Sequence, residues 1–337
     1  MALVDVSLLS TNLKESKLDY EKIFGLMLKD GFAPIPGFTK LPIKQKVELM
    51  RKVNSSITQP GRTGATNNRT AVTQLKKRVG ELKPAKVDLL LTEAELYALS
   101  VSFLGAKQPN DPRDIHSVAG RDFLMSTIFE QIGNEVNAAI YGGVLGSLGA
   151  GDVAWNGGLN LFDGLGVKFT LGYATTGDGA VGDIPGGNKV SSPAGSVTEA
   201  NILAEMKKVL SIVAGTNALA KEAMKDTTYL YLPMSYYTFL INAMDGLTYK
   251  SEQVVMSKGD TYVSKLFPKM EVIPVDFLDG VDNMFWSPQG NLFFLTQDTE
   301  ESVPRIKFQE VGRDLQILID WENSVDYADG RAIVLYK

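Results

Sequence analysis

The stretch from Gly120 to Gly143, GRDFLMSTIFEQIGNEVNAAIYGG, constrains the fold more than any other. Leu124, Ile128, Ile132, Val136 and Ile140 recur at every fourth position, and Gly142-Gly143 follows as a terminator. That spacing predicts an amphipathic helix over about 119–141 with one apolar face. The character then changes abruptly: sixteen of the thirty-two glycines fall between Gly142 and Gly195. Within that region NLFDGLGVKFTLGYATT reads as a strand and GDGAVGDIPGGNKVSSPAG as a loop.

Upstream, LDYEKIFGLMLKDGF and IKQKVELMRKVNSSI each read as short amphipathic helices joined by a Pro and Gly connector, an arm more than a compact domain. From Thr58 to Gly105 the chain is first polar, basic and turn-rich, with alternating Thr and Val that suggest a β-ribbon, and then apolar. An isolated hairpin is marginal in water, so such a ribbon needs something to lie on.

Downstream, SVTE at Ser196–Glu199 reads as a capping box opening a helix towards Lys225, broken near Gly215. TTYLYLP reads as a buried strand and SYYTFLINAMDG as a helix ending at Gly246. MEVIPV, NMFWS and NLFFLTQ read as strands, the last two paired as a hairpin through Pro288-Gln289-Gly290. Together these imply an α+β unit over 198–299. At the far end, LQILIDW and RAIVLYK alternate on either side of an acidic, Gly-containing turn.

The charge is distributed unevenly. Lys40 to Lys86 holds twelve Lys or Arg against Glu48 and Glu81, a net +10, within a chain whose total is -5. The remainder is therefore -15. Such a segment is a solvated basic loop, a contact for acidic neighbouring subunits, or a contact for nucleic acid.

Much chemistry is absent. With no Cys there are no disulfides, thiolate metal sites or Cys nucleophiles, and with His116 alone no mechanism can use two histidines. No phosphate-loop, zinc-protease or nucleophile-elbow motif is present. GDGAVG at Gly177–Gly182 fits a dinucleotide pattern by letter, but DIPGGNKV after it opens no helix on which a pyrophosphate could sit. Asp276, Asp279 and Asp282, and Asp326 and Asp329, read as turn residues before they read as ion ligands. No cofactor is expected. The N-terminal MALVDV lacks the pattern of a secretory signal, and the longest uncharged run, Val136–Gly151, is too short and Gly-rich for a membrane span.

In order, these parts resemble the major capsid protein of tailed bacteriophages, a fold shared with encapsulin shells. The resemblance rests on the long helix with its IYGG end, the FDGL that follows, YLYLPMSYYTFLINAMDG, and the closing DWENSVDYADGRAIVLY. It implies an α+β fold with an N-terminal arm (1–55), an extended β-loop (56–105), a peripheral domain carrying the spine helix (106–198 and 300–337) and an axial domain (199–299). LQILIDW and RAIVLYK would return to complete the peripheral sheet. The implied function is a non-enzymatic subunit that self-assembles into pentamers and hexamers around double-stranded DNA, in a virion assembled in a bacterial cytoplasm. Scaffolding (separate or none), portal and decoration proteins would be its partners, with no membrane. Arg62, Arg69, Lys76, Lys77 and Arg78 are the expected intersubunit contacts. The alternatives are an encapsulin-like compartment or a carboxylate-based binding protein or enzyme.

Overall fold

In a computed structural model, residues 5–30, 35–54, 73–106, 117–145, 159–174, 184–191, 196–246, 255–258, 261–298 and 304–337 are described. The chain begins with α1 (Val6–Glu15), whose first turn is capped by the Asp5 carboxylate accepting from Leu8 N, and α2 (Lys17–Asp30). These helices do not stand off as an arm. Leu9, Leu13 and Phe24 are completely buried, and Phe24 lies edge-on to Trp321 of the main sheet.

Next come β1 (Phe38–Ile43), β2 (Lys46–Asn54), β3 (Thr73–Glu81), β4 (Lys83–Leu91) and α3 (Glu93–Ala106). The helix expected at IKQKVELMRKVNSSI is thus strand β2, paired antiparallel with β3 from Lys46↔Glu81 to Asn54↔Thr73. Val47 and Leu49 alternate with Glu48 as well as spacing helically with their neighbours, and the partner strand decides between the two periods.

The long helix is α4 (Val118–Gly142), started by Ser117 Oγ accepting from Gly120 N. Its predicted apolar positions, Leu124, Ile128, Ile132, Val136 and Ile140, are all buried. Burial of each such side chain contributes about 1.5–3 kcal/mol. NLFDGLGVKFTLGYATT is not a strand: it forms α5 (Leu165–Ala174), with Leu165 and Phe169 buried one turn apart. The β-branched and aromatic residues that suggested a strand are overridden by packing under α4.

After β5 (Lys189–Val190), α6 (Ile202–Gly215) and α7 (Asn217–Lys225) divide at Thr216, as the glycine suggested. The SVTE capping box is not formed. Thr198 instead closes a turn with Asn201, and α6 begins after it. β6 (Thr228–Leu232) and α8 (Met234–Asp245) follow, then β7 (Val255–Lys258), β8 (Thr261–Ser264), β9 (Met270–Pro274), β10 (Met284–Pro288), β11 (Leu292–Gln297), β12 (Arg305–Val311), β13 (Asp314–Tyr327) and β14 (Val334–Tyr336).

These strands make two large sheets and one ribbon. The first sheet runs β1-β11-β13-β12 with β4 also on β13; the second runs β5-β14-β10-β6-β9-β8-β7; β2 and β3 pair with each other as a two-stranded ribbon. β10 and β11 are therefore joined by a turn but do not form the expected hairpin. Likewise LQILIDW (in β13) and RAIVLYK (around β14) enter different sheets and do not complete one together. Both crossings occur at one place: Asn291 Nδ2 donates to Ser287 Oγ and to the Asp329 carbonyl, while its Oδ1 accepts from Asp329 N. The acidic turn is the point at which the chain changes sheets.

The second sheet separates two cores. Alternation sends Tyr229, Tyr231 and Phe285 towards α4, α5 and the first sheet, and Leu230, Leu232 and Trp286 towards α6 and α8. β6 is consequently buried at every position.

Candidate intersubunit surface

The sequence directs attention to the basic ribbon. Arg62 and Arg69 lie outside the described residues. Lys76 and Lys77 sit on β3, in register with Arg51 and Met50. Arg78, the fifth predicted contact, is used within the chain. Its Nε donates to Asp326 Oδ1 at 2.7 Å, and its guanidinium lies 4.1 Å from the centre of the Tyr327 ring.

Asp326 is only 2% exposed and takes two further donors, Lys168 Nζ at 3.1 Å and its neighbour's amide, Tyr327 N, at 2.8 Å. Burial lowers the Lys168 pKa, which Asp326 partly offsets and Arg78 reinforces. Two cations thus share one buried carboxylate, joining β3, α5 and β13. Sequence reasoning identified Arg78 as basic but missed its partner 248 residues away, one of several carboxylates in an acidic stretch.

The root of the ribbon has three other supports. Gly80 lies so close to the sheet that a Cβ there would come within 2.8 Å of Leu295 Cδ1. Ile43, Leu82 and Leu295 form a small cluster, with Leu41, Val47 and Phe293 packed against it. At the surface, Glu81 is held down to about 2 by Lys46 and Lys83, which clamp it from β2 and β4.

Four of the five carboxylates that might have marked a ligand site, Asp326 among them, are committed to structure. Asp279 accepts from Met234 N at the start of α8, Asp282 from Tyr236 OH, and Asp329 from Arg331 N. Among the described residues no group of three metal-ligating side chains converges. An open cleft of 580 Å³, lined from the paired strands β4 and β13 and from Gln297 and Arg305 at the ends of β11 and β12, carries Lys86 and Arg305 against Asp320 and Glu322, a balanced lining. His116 and Gly177–Gly182 lie outside the described residues. Among those described, no helix is long and apolar enough to cross a membrane.

No protein-family model matches the chain, and no curated protein matches its sequence. Solved structures do match. A chain of the satellite phage P4 procapsid, in a structure including the size determination protein Sid, is 13% identical. The match covers 94% of this chain and 98% of that one, with a TM-score of 0.53. The fold is that of phage capsid subunits. The capsid of a native GTA particle (13% identity, 89% and 88% coverage, TM-score 0.52) and that of the Myoviridae phage XM1 (11%, 89% and 89%, 0.52) are similar in the same way. In each case the capsid fold accounts for nearly the whole of both chains, so what is shared is an architecture and not a module inserted in another one.

Proposed function

We propose that the chain is the structural subunit of an icosahedral bacteriophage head, assembling with copies of itself into hexamers and pentamers that enclose double-stranded DNA. The observation that carries this reading is the end-to-end match to a procapsid chain, 94% of one and 98% of the other. In this reading α4 is the spine helix, the first sheet belongs to the peripheral domain, and α6 to α8 build the axial domain. The ribbon is the extended loop. Its Arg62, Arg69, Lys76 and Lys77 meet acidic surfaces of a neighbouring subunit, where opposite charge favours encounter and register more than strength. Each exposed pair adds only ~0.2–1 kcal/mol, so the stability of a shell comes from contacts repeated over many copies. The subunit resides in the virion. Scaffolding, portal and decoration proteins, and non-specific contacts to packaged DNA, complete the proposal.

The test is negative-stain electron microscopy of the purified protein, alone and co-expressed with its genomic neighbours. Closed icosahedral particles, capsomer rings or tubes are expected, with DNA as their content in infected cells. Shells loaded with an enzyme would move the reading to a cellular compartment. A persistent monomer or dimer under both conditions would overturn it.

A further inference from the structure

We propose that Arg78 is a positioning residue which, acting through Asp326, fixes the direction in which the β2–β3 ribbon projects from the subunit. The geometry of this inference stands by itself; its consequence for assembly rests on the shell reading above.

Among the described residues, the ribbon shares no backbone ladder with either large sheet. β2 and β3 run directly out of β1 and β4, which the first sheet aligns, and Leu82 N donates to the Gln45 carbonyl at the base; the sheet therefore fixes the root of the ribbon, and its direction beyond the root depends on other contacts. The described contacts at its root include the apolar cluster under Val47, the approach of Gly80 to Leu295, the exposed Glu81 clamp by Lys46 and Lys83, and Arg78. Apolar contacts are non-directional: they bring the ribbon down on to the sheet but allow it to pivot. A guanidinium is a planar fork that holds a carboxylate in one orientation and stacks on a ring in another. Arg78 holds Asp326 through a single hydrogen bond from Nε while its guanidinium plane lies over the Tyr327 ring. Its receptor is itself immobilised, because Asp326 is tied to Lys168 of α5 and to the Tyr327 amide.

Position makes this contact decisive. Arg78 is in register with Leu49, and five further register pairs extend beyond it, ending at Asn54↔Thr73. At ~3.3 Å per residue the paired segment beyond the contact is about 17 Å long, so a pivot of about 10° at Arg78 moves its end by about 3 Å. That is comparable to the tolerance of a packed interface and enough to lose register with a neighbour.

The experiment exploits the absence of cysteine from the chain. Spin labels at Lys52→Cys on β2 and Lys307→Cys on β12 report the distance between ribbon and sheet in the full-length, unassembled subunit. A single narrow distribution is expected. Arg78→Ala broadens or shifts it without changing the far-UV circular dichroism, and Arg78→Lys, which keeps the charge but loses the fork, gives an intermediate result. Asp326→Asn reproduces Arg78→Ala if it folds; Arg78 is partly exposed, so the Arg78→Ala comparison does not depend on that. An unchanged distribution in Arg78→Ala, or a broad one already in the parent, overturns the proposal. Electron microscopy of the same variants separates the two readings. A parent that never forms shells sinks the shell reading and leaves the distance measurement valid. Normal shells from Arg78→Ala, despite a displaced ribbon, would show that its direction does not govern assembly.

Discussion

Gly164 shows how little room there is at the end of α4. Its amide donates to the Gly143 carbonyl, and a Cβ would come within 2.5 Å of the Ala139 carbonyl and 2.6 Å of the Tyr141 carbonyl, both backbone groups that cannot turn aside. Gly164→Ala is therefore expected to cost about 1–3 kcal/mol, read as a lower denaturant midpoint at unchanged slope. Asn323 offers the opposite opportunity. It is completely buried on the core face of β13, and among the described residues neither end of its amide finds a partner. Replacing it by Val should stabilise the subunit by about 1 kcal/mol or more, since an unpaired buried polar group costs about 1–3 kcal/mol. A loss of stability instead would reveal a buried water serving the amide. Neither feature was legible in the sequence. Gly164 is one of sixteen glycines in its region, and Asn323 lies two residues beyond LQILIDW, in the stretch that reads as an acidic turn.

The ribbon can be shortened without touching its anchor. Joining Met50 directly to Lys77 through Asn-Gly, in place of residues 51–76, retains the Leu49↔Arg78 pair and removes Arg62, Arg69 and Lys76. The shortened subunit is expected to melt at the parental temperature yet form no closed particles by electron microscopy; normal shells would show that the basic segment 51–76 is dispensable. At this scale the sequence was informative about elements and poor about partners. Leu124 to Ile140 gave α4 almost to the residue, and α2, β6 and α8 were likewise anticipated, because their periodicity is strong and local. In IKQKVELMRK, by contrast, two periods compete, and β3 resolves them from across the ribbon. Pro288-Gln289-Gly290 marked a turn correctly, but a turn says where the chain bends and nothing about which strand it will meet. Arg78 is the same failure in a side chain: its charge was visible, its distant carboxylate was not.

The second sheet makes one folding unit of two cores, since removing it would expose Tyr231 on one side and Trp286 on the other. Buried hydroxyls of this region give the unit an alkaline limit. Burial pushes the Tyr141 hydroxyl up to about 12, against a smaller opposing pull from Asn283 Nδ2, and Tyr336 is also raised, by burial and then by its bond to Glu205. A pKa raised on folding stabilises the native state fully below the unfolded value of 10.0 and less and less as pH rises through 12. Tyr141 alone accounts for about 2–3 kcal/mol of that loss. Denaturation midpoints should accordingly fall between pH 10 and 12, and fall less steeply in Tyr141→Phe; equal slopes would refute this account. The sheet order has a further consequence, for timing. β14 is inserted between β5 and β10, so a strand made of residues 334–336 completes a layer begun some 145 residues earlier. While the polypeptide is still being translated that slot stands empty, and the ribosome carries a chain whose central partition is unfinished. Association through surfaces that depend on this partition can start only after residue 336 has been synthesised and has left the ribosome.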